Sequence, residues 1–275
     1  MELVVLADRT INDGVVPSSL ITNEGSGIFI SDKKHNILVD VGQDDTIINN
    51  ARLLGVDLRD VDICFITHGH YESCNGLSSF LEYNSKAKIY CSIDILGKYY
   101  NNRNEFIGAD KSIANVVKSN SDRFIFVEDE YYIDNDVYIF SGNDRRSIVN
   151  TREIGFAVQS NLRLEPDDFH HELYIIIGDK EKVIVSGCTH KGVCNVMHWT
   201  KYENIKAFVG GMRIGSFDKS KPRDVRAAND MVQNLMQYNA TYYVHNCIDK
   251  NFYDYLQENM GEKFQQISLG SRFKI

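Results

Sequence analysis

The chain has 275 residues, of which 43% are hydrophobic and 25% charged, and a formal charge of −8. That length can bury a substantial core, and the acidic balance argues against a general nucleic-acid or anionic-membrane surface. Only three prolines occur and no Pro-rich stretch marks a linker, so one domain over residues 1–275 is expected.

The first residues reach Asp8 and Arg9 directly after an apolar run, so Glu2–Ala7 reads as a strand and not as a signal peptide. Gly27–Ile30 and Asn36–Val39 read as a hairpin around Asp32-Lys33-Lys34. Asp44–Leu54 has helical spacing, with Asp44 and Asp45 as alternative N-caps. Ile63–Ile66 is a short buried strand that runs straight into Thr67-His68-Gly69-His70. A helix over Asn75–Leu81 and a strand over Ala87–Cys91 follow, and the polar segment 97–122 reads as helical cover or a lid.

Strands are predicted at Phe124–Val127, Val137–Phe140, Leu173–Ile177 and Lys182–Ser186, then a helix over Gly192–Tyr202 and a strand at Ala207–Val209. Arg223–Gln237 is the clearest amphipathic helix, with Val225, Ala228, Met231, Val232 and Leu235 on one face. Thr241–Val244, Lys250–Glu258 and Phe264–Ile267 are read as strand, helix and strand. No apolar run approaches a membrane span. The order suits two packed sheets with helices outside, but by itself it names no fold.

Six cysteines (Cys64, Cys74, Cys91, Cys188, Cys194 and Cys247) include no CxxC pair, and a chain this long does not need disulfides. Six reduced thiols and a cytoplasmic location are therefore expected.

The chemistry concentrates at His68-Gly69-His70. Two imidazoles two residues apart on a turning backbone can be aimed at one point, as zinc ligation requires. A His-x-His pair alone is common. Here it follows a buried strand, is trailed by Glu72, and precedes the helix start Asn75-Gly76-Leu77.

On these residues, with the upstream strand Ile37-Leu38-Val39-Asp40-Val41-Gly42, the chain resembles the metallo-β-lactamase superfamily, whose signature is strand, HxHxDH, helix. It further resembles a branch that includes the archaeal dihydropterin (ribofuranosyl-aminobenzene phosphate) synthase. The matching phrases run in order: Glu24-Gly25-Ser26-Gly27, Pro166 to Leu173, Ser186-Gly187-Cys188-Thr189-His190, Gly210-Gly211-Met212-Arg213, and His245-Asn246-Cys247-Ile248. The resemblance implies an α/β fold, a four-layer αβ/βα sandwich, with a divalent metal in a cleft at its edge. Zinc is the first choice, with iron, manganese or magnesium as alternatives.

The implied metal residues are His68, His70 and His190, joined by Glu72 and His245, with Asp40 supporting the ligand loop from behind. Three departures matter. Glu72 stands for the expected Asp, Ser73 for a His, and Arg213 for another His. Ser73 is a poor ligand and Arg213 cannot ligate at all, so one firmly held metal and a weak or absent second one are expected.

A metal-activated water would be the nucleophile, Glu72 its proton acceptor, and His245 either a residual ligand or a donor to substrate. Arg213 would favour an anionic substrate, and Glu172 is placed beside it as substrate-binding. His171 is given a structural or substrate-facing role. Cys188 stands at the end of a strand, where the wider superfamily often has its bridging acid; it could ligate as a thiolate, but a buried neutral thiol is the first reading. The expected function is hydrolysis of a small anionic molecule. The alternatives are the pterin-related transfer of the same branch, or a degraded member that only binds a ligand. The partner is a small-molecule substrate, with no nucleic acid and no membrane; the sequence does not indicate the oligomeric state.

Overall fold

Short strands with apolar residues at every position have two faces to bury, and the chain gives each face a separate partner. In Glu2–Ala7, Leu3 and Val5 enter one apolar cluster while Val4 and Leu6 enter another. In Val137–Ser141, Ile139 faces the first of these clusters, and Tyr138 and Phe140 face a third. Two-sided burial of this kind requires layers above and below each sheet.

The computed structural model describes residues 1–275 except 13, 15–18, 150–154, 201, 203, 213–216 and 246–247. One seven-stranded sheet runs in the order Arg272–Lys274, Glu2–Ala7, Gly27–Ser31, Asn36–Val39, Ile63–Phe65, Lys88–Ser92, Phe124–Val127. The other runs Phe264–Gln266, Thr241–Val244, Ile205–Gly210, Lys182–Val185, Leu173–Ile177, Val137–Ser141, Glu130–Tyr132. The cluster holding Leu3, Phe65, Ile139, Ile175 and Val209 draws on both sheets and fills the space between them.

Helices Thr46–Leu53, Leu77–Tyr83 and Lys111–Ser119 cover the first sheet through Ile47, Phe80 and Ile113. Helices Val193–Trp199, Pro222–Met236 and Lys250–Met260 cover the second through Val196, Leu235 and Leu256. This is the anticipated four-layer αβ/βα sandwich.

The hairpin 27–39 forms as predicted, antiparallel with Ile30 opposite Ile37. On helix Pro222–Met236, Ala228, Met231 and Leu235 are buried, and Val232 packs half-buried beside them. The undecided segment 97–122 resolves into the two-residue strand Tyr99–Tyr100 and the covering helix Lys111–Ser119. Tyr99–Tyr100 joins Ala157–Ser160 and Arg163–Pro166 in a small third sheet that the sequence reading did not contain.

Also missed is the strand Arg272–Lys274, which pairs antiparallel with Glu2–Val4 and ties the end of the chain to its beginning. Cys64, Cys74, Cys91 and Cys194 are buried free thiols, while Cys247 lies outside the described residues. No helix among the described residues is long and apolar enough to cross a membrane.

Because Ile139 is fully buried between the two sheets, Ile139→Ala should cost about 2–5 kcal/mol. Urea unfolding should show a lower midpoint at unchanged slope. A loss below about 1 kcal/mol would contradict this assignment of the core.

Candidate metal centre

Strand Ile63–Phe65 ends inside the molecule, and the backbone after it turns under the end of the neighbouring strand Asn36–Val39. Asp40 terminates that neighbour and is completely buried. Its backbone is left-handed, at φ 58, a region that Asp tolerates better than most residues. One carboxylate oxygen accepts from the Thr67 backbone N–H at 2.8 Å. The other accepts from the hydroxyls of Thr67 at 2.9 Å and Ser73 at 3.1 Å.

Those two hydroxyls are also 2.9 and 3.1 Å from His68 Nδ1. Each hydroxyl has one proton and directs it at Asp40, so towards His68 it can only accept. His68 therefore carries a proton on Nδ1, and its Nε2 lone pair is the one aimed into the cleft. Burial pushes the Asp40 carboxyl up to about 6, against the opposing pull of His68 and Thr67, so it is still ionised at neutral pH. Gly187, from the second sheet, closes over this arrangement. A Cβ there would come within 2.2 Å of Thr67 Oγ1 and 3.1 Å of His68 Nδ1.

In front of His68, the Glu72 carboxylate lies 3.5 Å from His68 Nε2 and 3.6 Å from His70 Nδ1. These imidazoles are 99% or more buried. His68 Nε2 and both His70 nitrogens have no hydrogen-bond partner among the described residues. Burial would raise the Glu72 carboxyl, but the two histidines hold it well below the usual carboxylate range. For His68, burial pulls the imidazole down, and the carboxylates of Glu72 and Asp40 more than offset this and raise it.

The third imidazole, His190, arrives from the second sheet after strand Lys182–Val185. Ring centroids are 4.7 Å apart for His68–His70, 4.9 Å for His70–His190 and 5.2 Å for His68–His190. Three imidazoles around one tetrahedral zinc would stand about 5 Å apart, given Zn–N bonds of about 2.0–2.1 Å.

His190 is held from behind by Glu172, whose carboxylate accepts from the backbone N–H groups of His190 at 2.7 Å and Lys191 at 2.9 Å. The Tyr174 hydroxyl donates to it as well, at 2.5 Å. Glu172 is itself 99% buried, so the substrate-binding role predicted for it is corrected: both oxygens are occupied in positioning the His190 loop. Phe169 stacks nearly parallel on His190 at 4.4 Å.

Cys188 joins this group. One donor atom each from His68, Cys188 and His190 lie within 4.8 Å of one another, and the same holds for His68, His70 and Glu72. A further set, His70, Asp167 and His171, also lies within 4.8 Å, but its hydrogen bonds speak against a metal. His171 Nδ1 accepts from the Gly69 N–H at 3.0 Å, which leaves its proton on Nε2, 3.4 Å from Asp167. Neutral imidazole that binds metal through Nε2 must carry its proton on Nδ1, where the Gly69 N–H already points. Burial drives the His171 imidazole down to about 3, so it remains neutral and serves as a clamp on the ligand loop.

His245 stands apart from these sets. Its Nδ1 is 3.9 Å from Asp8 Oδ2. Ser73 is engaged by Asp40 and His68, and Arg213 lies outside the described residues. A cleft of about 160 Å³ opens on His70, Glu72 and Cys188, with Arg9 and Glu24 at its rim. A second cavity, about 610 Å³, touches His190 and Lys191 but none of His68, His70 and Glu72.

Residues 22–244 match the metallo-β-lactamase superfamily; the chain belongs to that superfamily. Two proteins of Methanocaldococcus jannaschii are similar to it. The uncharacterized protein MJ0448 is 28% identical over 210 residues, covering 75% of this chain and 78% of its own. The 7,8-dihydropterin-6-methyl-4-(beta-D-ribofuranosyl)-aminobenzene-5'-phosphate synthase is 23% identical over 217 residues, covering 74% and 72%. Among solved structures, Tm1679, a metal-dependent hydrolase of the β-lactamase superfamily, has a TM-score of 0.78 at 21% identity, covering 100% of this chain and 99% of that one. The short form of human tRNase Z has a TM-score of 0.55 at 11% identity with the same coverage. Both likenesses concern the fold.

The superfamily binds divalent metals, and the donors present fit one. Asp40→Asn keeps the shape but weakens the grip on Thr67 and Ser73, so metal affinity should fall about 10–100-fold with the circular dichroism unchanged; an unaltered affinity would remove Asp40 from the support of the site. The raised His68 imidazole gives a second expectation. A proton competes with metal for Nε2, so affinity is full above the raised value and falls as the pH drops below it. Titration from about pH 8 to about pH 6 should show this fall, and a flat profile would count against His68 as a ligand.

Proposed function

We propose that the chain is a metal-dependent hydrolase of a small anionic molecule, with its metal held by His68, His70 and His190. The observation that carries this reading is the set of buried imidazole nitrogens facing one carboxylate: His68 Nε2 and both His70 nitrogens lack hydrogen bonds, and Glu72 stands between the two rings. Polar atoms buried in that state cost about 1–3 kcal/mol each, a cost that ligation would remove. The metal, zinc by preference, would supply an acidified water and polarise the bond to be cleaved.

Glu72 would hold the proton taken from that water, since its carboxylate faces His68 and His70 and lines the open cleft. Arg9 at the cleft rim would bind the anionic group. It pairs with Glu24 at 3.2 Å while both stay about half exposed, so a phosphate or carboxylate could take over the guanidinium. The Ser73 hydroxyl is engaged by Asp40 and His68, and a guanidinium such as that of Arg213 cannot ligate, which supports one firmly held metal.

The relative named as a synthase supports a second reading, transfer instead of hydrolysis, and an assay for the compound in that name tests it. A chain that binds a ligand without turnover is the third.

Purified protein should release nitrophenol from nitrophenyl esters or bis(nitrophenyl) phosphate, lose this with chelator, and regain it with zinc. Elemental analysis should find one tight equivalent. Glu72→Gln should lower kcat by about 10²–10⁴-fold. Metal-loaded protein that binds anions but turns over neither substrate class nor the synthase reactants would establish the binding reading instead.

A further inference from the structure

We propose that Cys188 binds the metal through its sulfur, so that the centre combines imidazole and thiolate donors. The proposal rests on the metal-centre reading above and specifies the class of metal. Four of the described cysteines, Cys64, Cys74, Cys91 and Cys194, sit inside apolar clusters. Cys188 belongs to none of those clusters and lines the cleft beside His70 and Glu72.

Its Sγ is 3.9 Å from Glu72 Oε1, with the thiol proton directed at the carboxylate. It lies within 4.8 Å of one nitrogen each of His68 and His190. Donor atoms around tetrahedral zinc stand about 3.3–3.7 Å apart, given bonds of about 2.0–2.1 Å to nitrogen and about 2.3 Å to sulfur. Closing the observed set onto a metal takes side-chain shifts of about 1 Å and no change of backbone path.

The backbone on either side of Cys188 is fixed. Gly187 O accepts from the Gly211 N–H at 2.6 Å, and the His190 N–H donates to Glu172 at 2.7 Å. Thr189 between them is held at φ 62, a left-handed conformation that is a genuine outlier for a β-branched residue. Its hydroxyl donates to Ser186 Oγ at 3.0 Å. The turn brings Cys188 and His190 into one donor set with His68 at the cost of this strain. A second, independent sign that a ligand belongs here is His68, whose buried Nε2 has no hydrogen-bond partner among the described residues and which stands in one donor set with Cys188 and His190. On ligation the thiol gives up its proton to solvent and the thiolate donates to the metal. Thiolate is a soft donor that suits zinc, cobalt and iron, whereas magnesium and manganese prefer all-oxygen sites.

Loading the protein with cobalt(II) tests this without any assay of turnover. The expected spectrum has a near-ultraviolet sulfur-to-cobalt charge-transfer band, which disappears in Cys188→Ser and persists in Cys194→Ser. X-ray absorption of the zinc-loaded wild-type protein should show a sulfur shell at about 2.3 Å, and this measurement stands even if the serine variant does not fold. Cobalt and zinc bound without a sulfur signature, or a band unchanged by Cys188→Ser, would overturn the thiolate while leaving the metal centre intact. Failure to bind either metal would overturn both.

Discussion

The buried carboxylate of Asp40 is the constraint on which the rest of the site depends. An ionised group with no exposure is costly unless hydrogen bonds replace its water, and here three donors do so, all from the loop that carries the histidines. Neither partner is stable alone: the carboxylate needs the loop, and the loop's hydroxyls need an acceptor. Because those hydroxyls spend their protons on Asp40, the proton of His68 is confined to Nδ1. A support that never touches the cleft thereby decides which nitrogen can reach a metal. The left-handed backbone at Asp40 is the strain accepted for this, of the order of 1–2 kcal/mol.

A matching device operates from the other sheet. Glu172 gathers two consecutive backbone N–H groups and the Tyr174 hydroxyl, and so fixes where His190 enters. The two halves meet at the sheet edges, where the Leu173 N–H donates to Thr67 O at 2.8 Å. The donors therefore come from both sheets, and their spacing is set by the apolar layer between them. Loss of sheet packing should loosen the histidine triangle before it unfolds the chain, since ligand spacing tolerates only fractions of an ångström.

What the sequence reveals about this site is what lies close in sequence. The strand Ile63–Phe65, the His-x-His turn and the Asp after Asn36–Val39 are local patterns, and the order of short apolar strands and helices indicates two packed sheets with helices outside. The third sheet and strand Arg272–Lys274 are two to four residues per strand, too short for any period to show, and they exist only through pairing with distant segments. On sequence alone Glu172 reads as substrate-binding together with Arg213. Only the fold shows that its carboxylate turns towards the His190 backbone. Cys188 stands out by its place after Gly187 at the end of a strand, but the sequence leaves ligating thiolate and buried neutral thiol both open, because neither its distance to the histidines nor its place on the cleft is local.

The contrast between His68 and His171 shows why counting histidines does not count metals. Both are buried, both neighbour His70, and both have a carboxylate within reach. Hydroxyl oxygens facing His68 Nδ1 can accept its proton, which frees Nε2. A backbone N–H facing His171 Nδ1 can only donate, which forces the proton onto Nε2 and towards Asp167. Exchanging these two environments would exchange the roles without changing either residue. The polarity of the hydrogen bond behind the ring thus suits His68 to ligation and His171 to support. It does so before any metal arrives, so the site needs little rearrangement to bind one.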